Sequence, residues 1–282
     1  MKIILIGSRG NLGAQIMQSL LQAGHQVLPT SQSKEIAEGF IPISPWKPLH
    51  GQHLSNVDFI INAANSYWPK PNEAQIQKME DSILGISETI KASIPFTKAN
   101  IITFSTYFQY APLELMPWSE YSSLKSLAVQ GIESVCGQHG NRLMNIVLRD
   151  NFGGSRRDKF LDMAISANKF QTALPASPGE SMLNLVHVKD ISEAVLRYLT
   201  AQSQQTEVLK NTYEISSGNS FTLRELISFI DSHSNVPTRV NWGSHPYREK
   251  EVFKEWACAD LFPYFKETRK LGDYIKTNLT QD

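Results

Sequence analysis

The chain opens with the stretch that decides its fold, Lys2-Ile3-Ile4-Leu5-Ile6-Gly7-Ser8-Arg9-Gly10-Asn11-Leu12-Gly13. The run from 2 to 6 is almost wholly apolar, which is typical of a parallel strand that is buried on both faces. The glycines predict a tight turn, and the next segment repeats apolar residues at Leu12, Ile16 and Leu20 before Gly24. That spacing indicates an amphipathic helix with a glycine C-cap.

The remainder of the first half repeats this order of strand and helix. Strand-like segments lie at 25–29, 40–43, 57–62, 100–104 and 144–148, and helix-like segments lie at about 75–92 and 121–139. Such repetition indicates an α/β fold with a doubly wound parallel sheet of the Rossmann type. After Arg149 the predicted elements are shorter and more mixed, with helices near 159–168, 226–233 and 266–279 and a strand at 183–188. We therefore predict a Rossmann domain over residues 1–150 and a smaller mixed substrate-binding lobe over residues 151–282, with a segment near 184–200 returning to the sheet domain.

The composition limits the classes of partner. The 282 residues are 41% hydrophobic, and 27 basic residues balance 27 acidic ones, so there is no electrostatic case for a nucleic acid or an anionic membrane. The N-terminus does not resemble a signal peptide, and no apolar run approaches the ~20 residues of a membrane span, so we expect a cytoplasmic protein. We expect no metal site, because Cys136 and Cys258 are far apart and His50 and His53 have no third ligand nearby.

The glycine-rich turn predicts a dinucleotide cofactor. Glycines between a strand and a helix let the backbone approach a pyrophosphate, whose charge then lies at the helix N-terminus. We assign the whole turn to cofactor binding: Gly7, Ser8, Arg9, Gly10, Asn11, Leu12 and Gly13.

The second strand predicts which cofactor is preferred. Proteins that select NAD place an acidic residue after this strand, on the ribose 2′-hydroxyl. Here the sequence is Thr30-Ser31-Gln32-Ser33-Lys34, with no acid. Because Ser31, Lys34 and Arg9 would suit a 2′-phosphate, we expect NADP(H) in preference to NAD(H). A solvated loop that is indifferent to the cofactor is the alternative.

Two further patterns suggest hydride-transfer chemistry. Tyr121 and Lys125 are four residues apart on a predicted helix and therefore share one face. A nearby ammonium group would lower the pKa of a phenol, which is ordinarily about 10, and so would make Tyr121 a proton donor or acceptor for a carbonyl. Ser105 and Thr106 follow a strand, where a hydroxyl could hold that carbonyl.

Together these patterns resemble the extended short-chain dehydrogenase/reductase family, also described as NAD-dependent epimerases/dehydratases, and in particular its members that modify sugar nucleotides. The resemblance runs over nearly the whole chain, and it rests on these further motifs: Asn62-Ala63-Ala64, Tyr110, 148–153 (Leu-Arg-Asp-Asn-Phe-Gly), 186–190 (Val-His-Val-Lys-Asp) and 247–251 (Tyr-Arg-Glu-Lys-Glu). It implies that Asn62, Ala63 and Ala64 contact the cofactor and that Thr106, rather than Ser105, joins Tyr121 and Lys125 in catalysis.

The resemblance also implies a substrate site. Asn151 matches a position that contacts the nucleotide sugar, and Arg248 with Glu251 matches a pair that holds the diphosphate and the nucleotide ribose. A surface ion pair is the alternative for Arg248 and Glu251. Trp68, on a loop expected to face the cleft, could stack on the sugar or the base, or could pack in the interior.

Several departures from the family narrow the chemistry. Tyr107 and Phe108 stand where dehydratases of the family carry an Asp-Glu pair, so dehydration is not expected. No cysteine lies near these motifs in the sequence, which argues against 3,5-epimerisation. Leu183 replaces a diphosphate-binding arginine of several relatives, and Ser82 replaces a usual asparagine.

We therefore predict an NADPH-dependent reductase of a 4-keto (deoxy)sugar nucleotide. A 4-epimerase that retains its NAD(P), or a non-catalytic dinucleotide-sensing scaffold protein, is the alternative. By analogy with relatives, a homodimer could form through the helices near 82–92 and 121–139.

Overall fold

The computed structural model describes residues 1–32, 38–68, 70–155, 157, 159–203 and 210–280. Its strands are β1 (Lys2–Ile6), β2 (Gln26–Ser31), β3 (Ile41–Pro42), β4 (Phe59–Asn62), β5 (Asn100–Thr106), β6 (Leu143–Leu148), β7 (Asp150–Phe152), β8 (Leu174–Ala176), β9 (Met182–His187), β10 (Thr212–Ile215), β11 (Ser220–Thr222) and β12 (Val240–Trp242). Its α-helices are α1 (Asn11–Gln22), α2 (Gly51–Leu54), α3 (Glu73–Glu80), α4 (Ile86–Ser93), α5 (Glu120–His139), α6 (Phe160–Phe170), α7 (Val188–Ser203), α8 (Leu223–Asp231) and α9 (Leu271–Thr280). A π-helical turn, Asp81–Gly85, joins α3 to α4.

The main sheet confirms the predicted fold class. Its seven strands lie in the order β10-β6-β5-β4-β1-β2-β3, and every neighbouring pair is parallel. On the interior strand β1, Ile3 and Leu5 pack into a core cluster with α1 and α7, whereas Ile4 and Ile6 pack into a second cluster with α4 and α5. Helices therefore cover both faces, which explains why β1 is apolar at almost every position.

The smaller lobe is mixed, as predicted. In it β9 pairs with β7 in parallel and with β11 antiparallel, while β8 and β12 form a separate parallel pair. Its own core cluster includes Leu226, Ile230 and Ile275 from α8 and α9. Because β7 follows β6 almost directly, the lobe begins at the carboxyl edge of the main sheet, where ligands of doubly wound sheets bind.

Two chain segments beyond residue 150 pack with the main sheet and its helices rather than with the smaller lobe. Helix α7 packs against α1, with Ile191 and Val195 in the shared core, and β10 pairs with β6 at the sheet edge. β10 was not predicted from the sequence. The domain boundary near residue 150 stays a prediction.

The predicted start of the last helix is wrong. We expected it at 266, but α9 begins at Leu271. The reason is Asp190, whose carboxylate accepts the backbone N–H groups of Thr268 and Arg269, each at 3.0 Å. These bonds hold Thr268 and Arg269 outside the helix, which begins two residues later.

Among the described residues, no helix combines the length and apolar character that crossing a bilayer requires. Within the same part of the chain, no group of three or more His, Cys, Asp and Glu side chains could hold a metal ion.

Candidate active site

The turn between β1 and α1 can be built only with glycine at two positions. Gly7 has φ of +80°, and a Cβ there would lie 2.5 Å from the backbone nitrogen of Ala64. A Cβ on Gly13 would lie 2.1 Å from the carbonyl oxygen of Gly7. Since both neighbours are backbone atoms, neither clash can be relieved by a side-chain movement, and the turn is held against both β4 and α1.

A groove of about 270 Å³ opens at this turn. It is lined by Ile6, Gly7, Ser8, Arg9, Gly10, Thr30, Ser31, Gln32, Ile43 and Ala64. The hydroxyl of Ser8 is buried and makes no hydrogen bond with any described residue, and no side chain caps the N-terminus of α1. Unpaired donors at a glycine-lined helix N-terminus fit the pyrophosphate of a dinucleotide.

Arg9 and Ser31, two of the residues from which a preference for NADP(H) was predicted, line this groove. The guanidinium of Arg9 is 4.8 Å from the ring centroid of Phe40, and no carboxylate lines the groove in the described part of the chain. Asn62 accepts a hydrogen bond from the N–H of Ala64 at 3.2 Å, which shapes the segment facing Gly7. Lys34 lies outside the described residues.

Two residues of the turn face away from the groove. The amide of Asn11 donates to the carbonyl of Gly153 at 3.1 Å and accepts the N–H of Ser155 at 2.8 Å. Leu12 packs against the core beneath α1. The side chain of Asn11 therefore ties the cofactor turn to the start of the lobe.

The three predicted catalytic residues lie on two adjoining elements. Thr106 ends β5, and its hydroxyl accepts the N–H of Phe108 at 3.4 Å. Tyr121 and Lys125 lie in the first turns of α5, and Nζ of Lys125 donates to the carbonyl of Phe104 at 3.0 Å. This bond anchors α5 to β5 two residues before Thr106.

The protonation states in this site differ from our expectation. Burial raises the pKa of Tyr121 above its ordinary value, with a further rise from Tyr67, while a bond to Asn65 opposes the shift. Burial lowers the pKa of Lys125 to about 8. The prediction that Lys125 lowers the pKa of Tyr121 is therefore wrong: desolvation dominates, and the ammonium is directed at a backbone carbonyl. Tyr121 is a neutral phenol, the form that donates a proton.

Arg248 and Glu251 are paired with each other. The distances are 3.1 Å from Nε to Oε2 and 2.5 Å from the second guanidinium nitrogen to Oε1. Arg248 is 46% exposed, whereas Glu251 is 7% exposed. The guanidinium also lies 5.7 Å from the ring centroid of Trp118. The exposed cation remains accessible to an anionic ligand, while the carboxylate is covered.

The other two predicted substrate residues are held by protein contacts. Lys159 donates to the backbone oxygen of Asn151 at 2.6 Å and to its side-chain oxygen at 2.9 Å. Trp68 packs with Leu124 and Tyr121 against the interior of α5. Its neighbour Tyr67 is the residue whose ring meets Tyr121 directly, with centroids 5.0 Å apart.

Sequence reasoning missed a cysteine beside the site. Sγ of Cys258 lies 3.9 Å from the carbonyl oxygen of Tyr107, the residue after Thr106. The expectation that no cysteine lies near these motifs is therefore wrong in the folded chain. The contact has no signal in the sequence, because 151 positions separate the two residues. Burial, with the adjacent Glu214 carboxylate, raises the pKa of Cys258 to about 12, so the thiol stays protonated and cannot serve as a base.

Comparison with known proteins agrees with this geometry. A family model described as the NAD dependent epimerase/dehydratase family matches residues 3–215. CDP-abequose synthase of Yersinia pseudotuberculosis is 22% identical over 304 residues, which cover 99% of each chain.

Solved structures show the same fold. The UDP-glucuronic acid 4-epimerase of Bacillus cereus, in complex with UDP-glucuronic acid and NAD, has a TM-score of 0.78 at 17% identity, covering 99% of this chain and 98% of that one. The UDP-N-acetylglucosamine 4-epimerase of Methanobrevibacter ruminantium M1, in complex with UDP-N-acetylmuramic acid, has a TM-score of 0.79 at 15% identity, covering 99% and 96%. The family model spans well over half of the chain and agrees with the resemblance seen in the motifs. This chain therefore belongs to the NAD-dependent epimerase/dehydratase family of extended short-chain dehydrogenases/reductases, enzymes that modify sugar nucleotides.

Proposed function

We propose that this protein is an NADPH-dependent reductase of a 4-keto (deoxy)sugar nucleotide. The observation that carries the proposal is the half-buried, neutral phenol of Tyr121 on a helix that Lys125 anchors to β5, whose last residue is Thr106. A phenol in that position can protonate a carbonyl oxygen as the carbonyl carbon is reduced.

Each residue has a separate part in the reaction. NADPH held at the glycine turn of Gly7, Gly10 and Gly13 would supply the hydride, with its electron pair, that reduces C4 of the sugar. Tyr121 gives its proton to O4 as the C=O double bond becomes a single bond, and Thr106 donates a hydrogen bond to the same oxygen. Lys125, whose pKa is about 8, is still protonated at neutral pH and can hold the cofactor ribose and help return a proton to Tyr121. The products are the 4-hydroxy sugar nucleotide and the oxidised cofactor.

Reduction fits this site better than epimerisation. A 4-epimerase must first remove the proton of a sugar hydroxyl, for which its tyrosine has to be ionised. Burial favours the neutral form of Tyr121, which suits the opposite direction. At the position of the dehydratase acid pair, Tyr107 and Phe108 are packed aromatic rings with centroids 4.2 Å apart, and they cannot exchange protons with a sugar at neutral pH.

We further propose that NADPH is preferred to NADH. Support comes from Arg9 at the groove and from the Thr30, Ser31 and Gln32 lining, which would accept a 2′-phosphate without repulsion. The 4-epimerase structure from Bacillus cereus binds NAD, so the preference has to be measured on this protein.

The test begins with the absorbance of the purified protein, which shows whether cofactor has stayed bound. Fluorescence titration with NADPH and NADH then compares the two affinities. We expect an empty protein that binds NADPH more tightly and oxidises it, at 340 nm, when 4-keto sugar nucleotides are added. Arg9→Ala should weaken NADPH binding roughly tenfold and leave NADH binding unchanged. Arg142→Ala, an exposed arginine elsewhere, is the matched control.

Three outcomes would contradict the proposal. Cofactor that survives purification and turnover without net oxidation would indicate a 4-epimerase. Equal affinity for both cofactors would remove the NADPH preference. A protein that binds neither cofactor would revive the scaffold hypothesis.

A further inference from the structure

Tyr67 lies between the end of β4 and the start of α3, beside α5. Its ring meets that of Tyr121 edge to face, with the centroids 5.0 Å apart and the planes at 65°. Edge-to-face contacts are favourable beyond the burial of the rings, so this contact limits the orientations of the Tyr121 phenol.

The backbone of Tyr67 is fixed by its neighbour. The indole of Trp68 packs into a cluster that contains Met79 and Leu124, on the inner side of the same loop. The two consecutive side chains therefore have different surroundings. Trp68 anchors the loop in the interior, and Tyr67 lies half-buried against Tyr121. A loop held in this way can position a ligand with little loss of conformational entropy.

The phenol of Tyr67 also interacts electrostatically with Arg248, the exposed cation of the site. Burial lowers the pKa of Arg248, Glu251 raises it, and Tyr67 adds to the rise. The Tyr67 hydroxyl makes no hydrogen bond with any residue in the described part of the chain, although the side chain is half-buried. The ring of Tyr67 therefore contacts Tyr121, while its hydroxyl is left for a partner that the described residues do not supply.

We propose that Tyr67 is a positioning residue that links substrate binding to the proton donor. Its ring holds the phenol of Tyr121, and its hydroxyl donates a hydrogen bond to an oxygen of the sugar nucleotide that is bound beside Tyr121. The inference rests on the proposed function, because it needs a sugar nucleotide in this cleft. It predicts that the hydroxyl of Tyr67 affects KM, through substrate binding, and that its ring affects kcat, through the position of Tyr121.

The experiment separates the ring from the hydroxyl. Tyr67→Phe keeps the ring, and Tyr67→Leu removes both. Tyr213→Phe, which removes a hydroxyl bonded to the N–H of Lys210 at the sheet edge, is the matched control. The dissociation constants of CDP-glucose, UDP-glucose and dTDP-glucose are measured by calorimetry in the presence of NADP⁺, NADPH binding is measured by fluorescence, and kcat and KM are measured with a 4-keto sugar nucleotide.

We expect Tyr67→Phe to weaken the sugar nucleotide that the wild type binds by roughly three- to tenfold, as for one lost hydrogen bond, and to leave NADPH binding unchanged. KM should rise by the same factor while kcat stays within about twofold, since the ring contact is kept. Tyr67→Leu should also lower kcat roughly tenfold or more, so that the conservative variant rescues kcat.

The overturning results are distinct. Equal sugar-nucleotide affinity in Tyr67→Phe and the wild type would rule out the hydroxyl contact, and equal kcat in Tyr67→Leu and Tyr67→Phe would rule out the role of the ring. A wild type that binds NADPH but none of the three sugar nucleotides would overturn the proposed function, and the role of Tyr67 with it.

Discussion

Arg149 and Glu214 form an ion pair whose side chains are only 5% and 4% exposed, with 2.5 Å between Nε and Oε1. The pair joins the end of β6 to the edge strand β10. Glu214 also accepts the N–H of Cys258 at 2.9 Å, and Arg149 donates to the carbonyl of Trp256. The indole of Trp256 in turn donates to the carbonyl of Tyr107 at 3.1 Å. One buried pair thus fixes the chain segment that covers the residue next to Thr106.

Removing one member of this pair should destabilise the protein strongly. Glu214→Ala removes the buried partner of the Arg149 guanidinium and leaves only the partly exposed carboxylate of Glu255, 3.5 Å away, so we expect the free energy of unfolding in urea to fall by about 3–5 kcal/mol. Glu180→Ala is the control, because it breaks an exposed pair with Arg224 and should cost about 1 kcal/mol or less. Equal losses in the two variants would show that Arg149 is not held by charge pairing.

The same pair explains why the sequence did not predict β10. The strand reads Thr212-Tyr213-Glu214-Ile215, and a carboxylate in the middle of a four-residue segment argues against a buried strand. What makes it compatible with burial is Arg149, 65 positions earlier. A pairing over that distance leaves no periodic signal in a single sequence. By contrast, β1 could be predicted because a run of consecutive apolar residues indicates a buried strand.

The cofactor turn should not tolerate a side chain at Gly13. A Cβ there would meet the Gly7 carbonyl oxygen at 2.1 Å, so Gly13→Ala must displace backbone at the start of α1. We expect the free energy of unfolding to fall by about 1–3 kcal/mol and NADPH affinity to fall more than tenfold.

The matched control for Gly13 is Gly137 on α5, where an added Cβ would meet nothing within 4 Å. Gly137→Ala should raise the free energy of unfolding by roughly 0.5–1 kcal/mol, because alanine is the better helix former. If Gly13→Ala behaved like Gly137→Ala, the close approach of α1 to the turn would be disproved.

The candidate site could be predicted from the sequence only where its residues are close together in the chain. The glycine turn and the Tyr121/Lys125 pair each lie within one turn of structure, so their spacing was informative. The contacts of Tyr67 with Tyr121 and of Cys258 with Tyr107 join separate elements and have no local pattern. The protonation of Tyr121 was also not predictable, since desolvation depends on what the fold places around the phenol.

Lys125 should make NADPH binding depend on pH. Because burial lowers its pKa to about 8, the ammonium that is proposed to hold the cofactor ribose is lost as the pH rises through that value. We expect NADPH affinity, followed by fluorescence, to fall between about pH 7 and 9 in the wild type. Lys125→Met should bind roughly tenfold more weakly at pH 7 and show no such fall. A wild-type affinity that is flat over this range would refute the assignment.

The same group contributes to stability with the opposite pH trend. The folded pKa of Lys125 lies below the ordinary value of 10.5, so between about pH 8 and 10.5 the unfolded chain binds more protons than the folded one. The stability of the wild type relative to Lys125→Met should therefore rise over that window, by on the order of 3 kcal/mol. Urea unfolding of both proteins at pH 7 and pH 10 measures this difference.

Tyr121→Phe should abolish most of the reduction without disturbing the fold. The variant keeps the ring that packs on Tyr67 but loses the proton that is transferred to O4, so kcat should fall by about 10²–10⁴ while NADPH affinity changes little. The control is Tyr110→Phe, which removes a nearby phenol whose hydroxyl is engaged by the Asn145 amide at 3.3 Å and should keep most of the turnover. Single-turnover oxidation of NADPH at 340 nm isolates the chemical step from product release. A Tyr121→Phe variant with more than about a tenth of wild-type kcat would show that another group protonates the substrate, and Thr106 would then be the next residue to substitute.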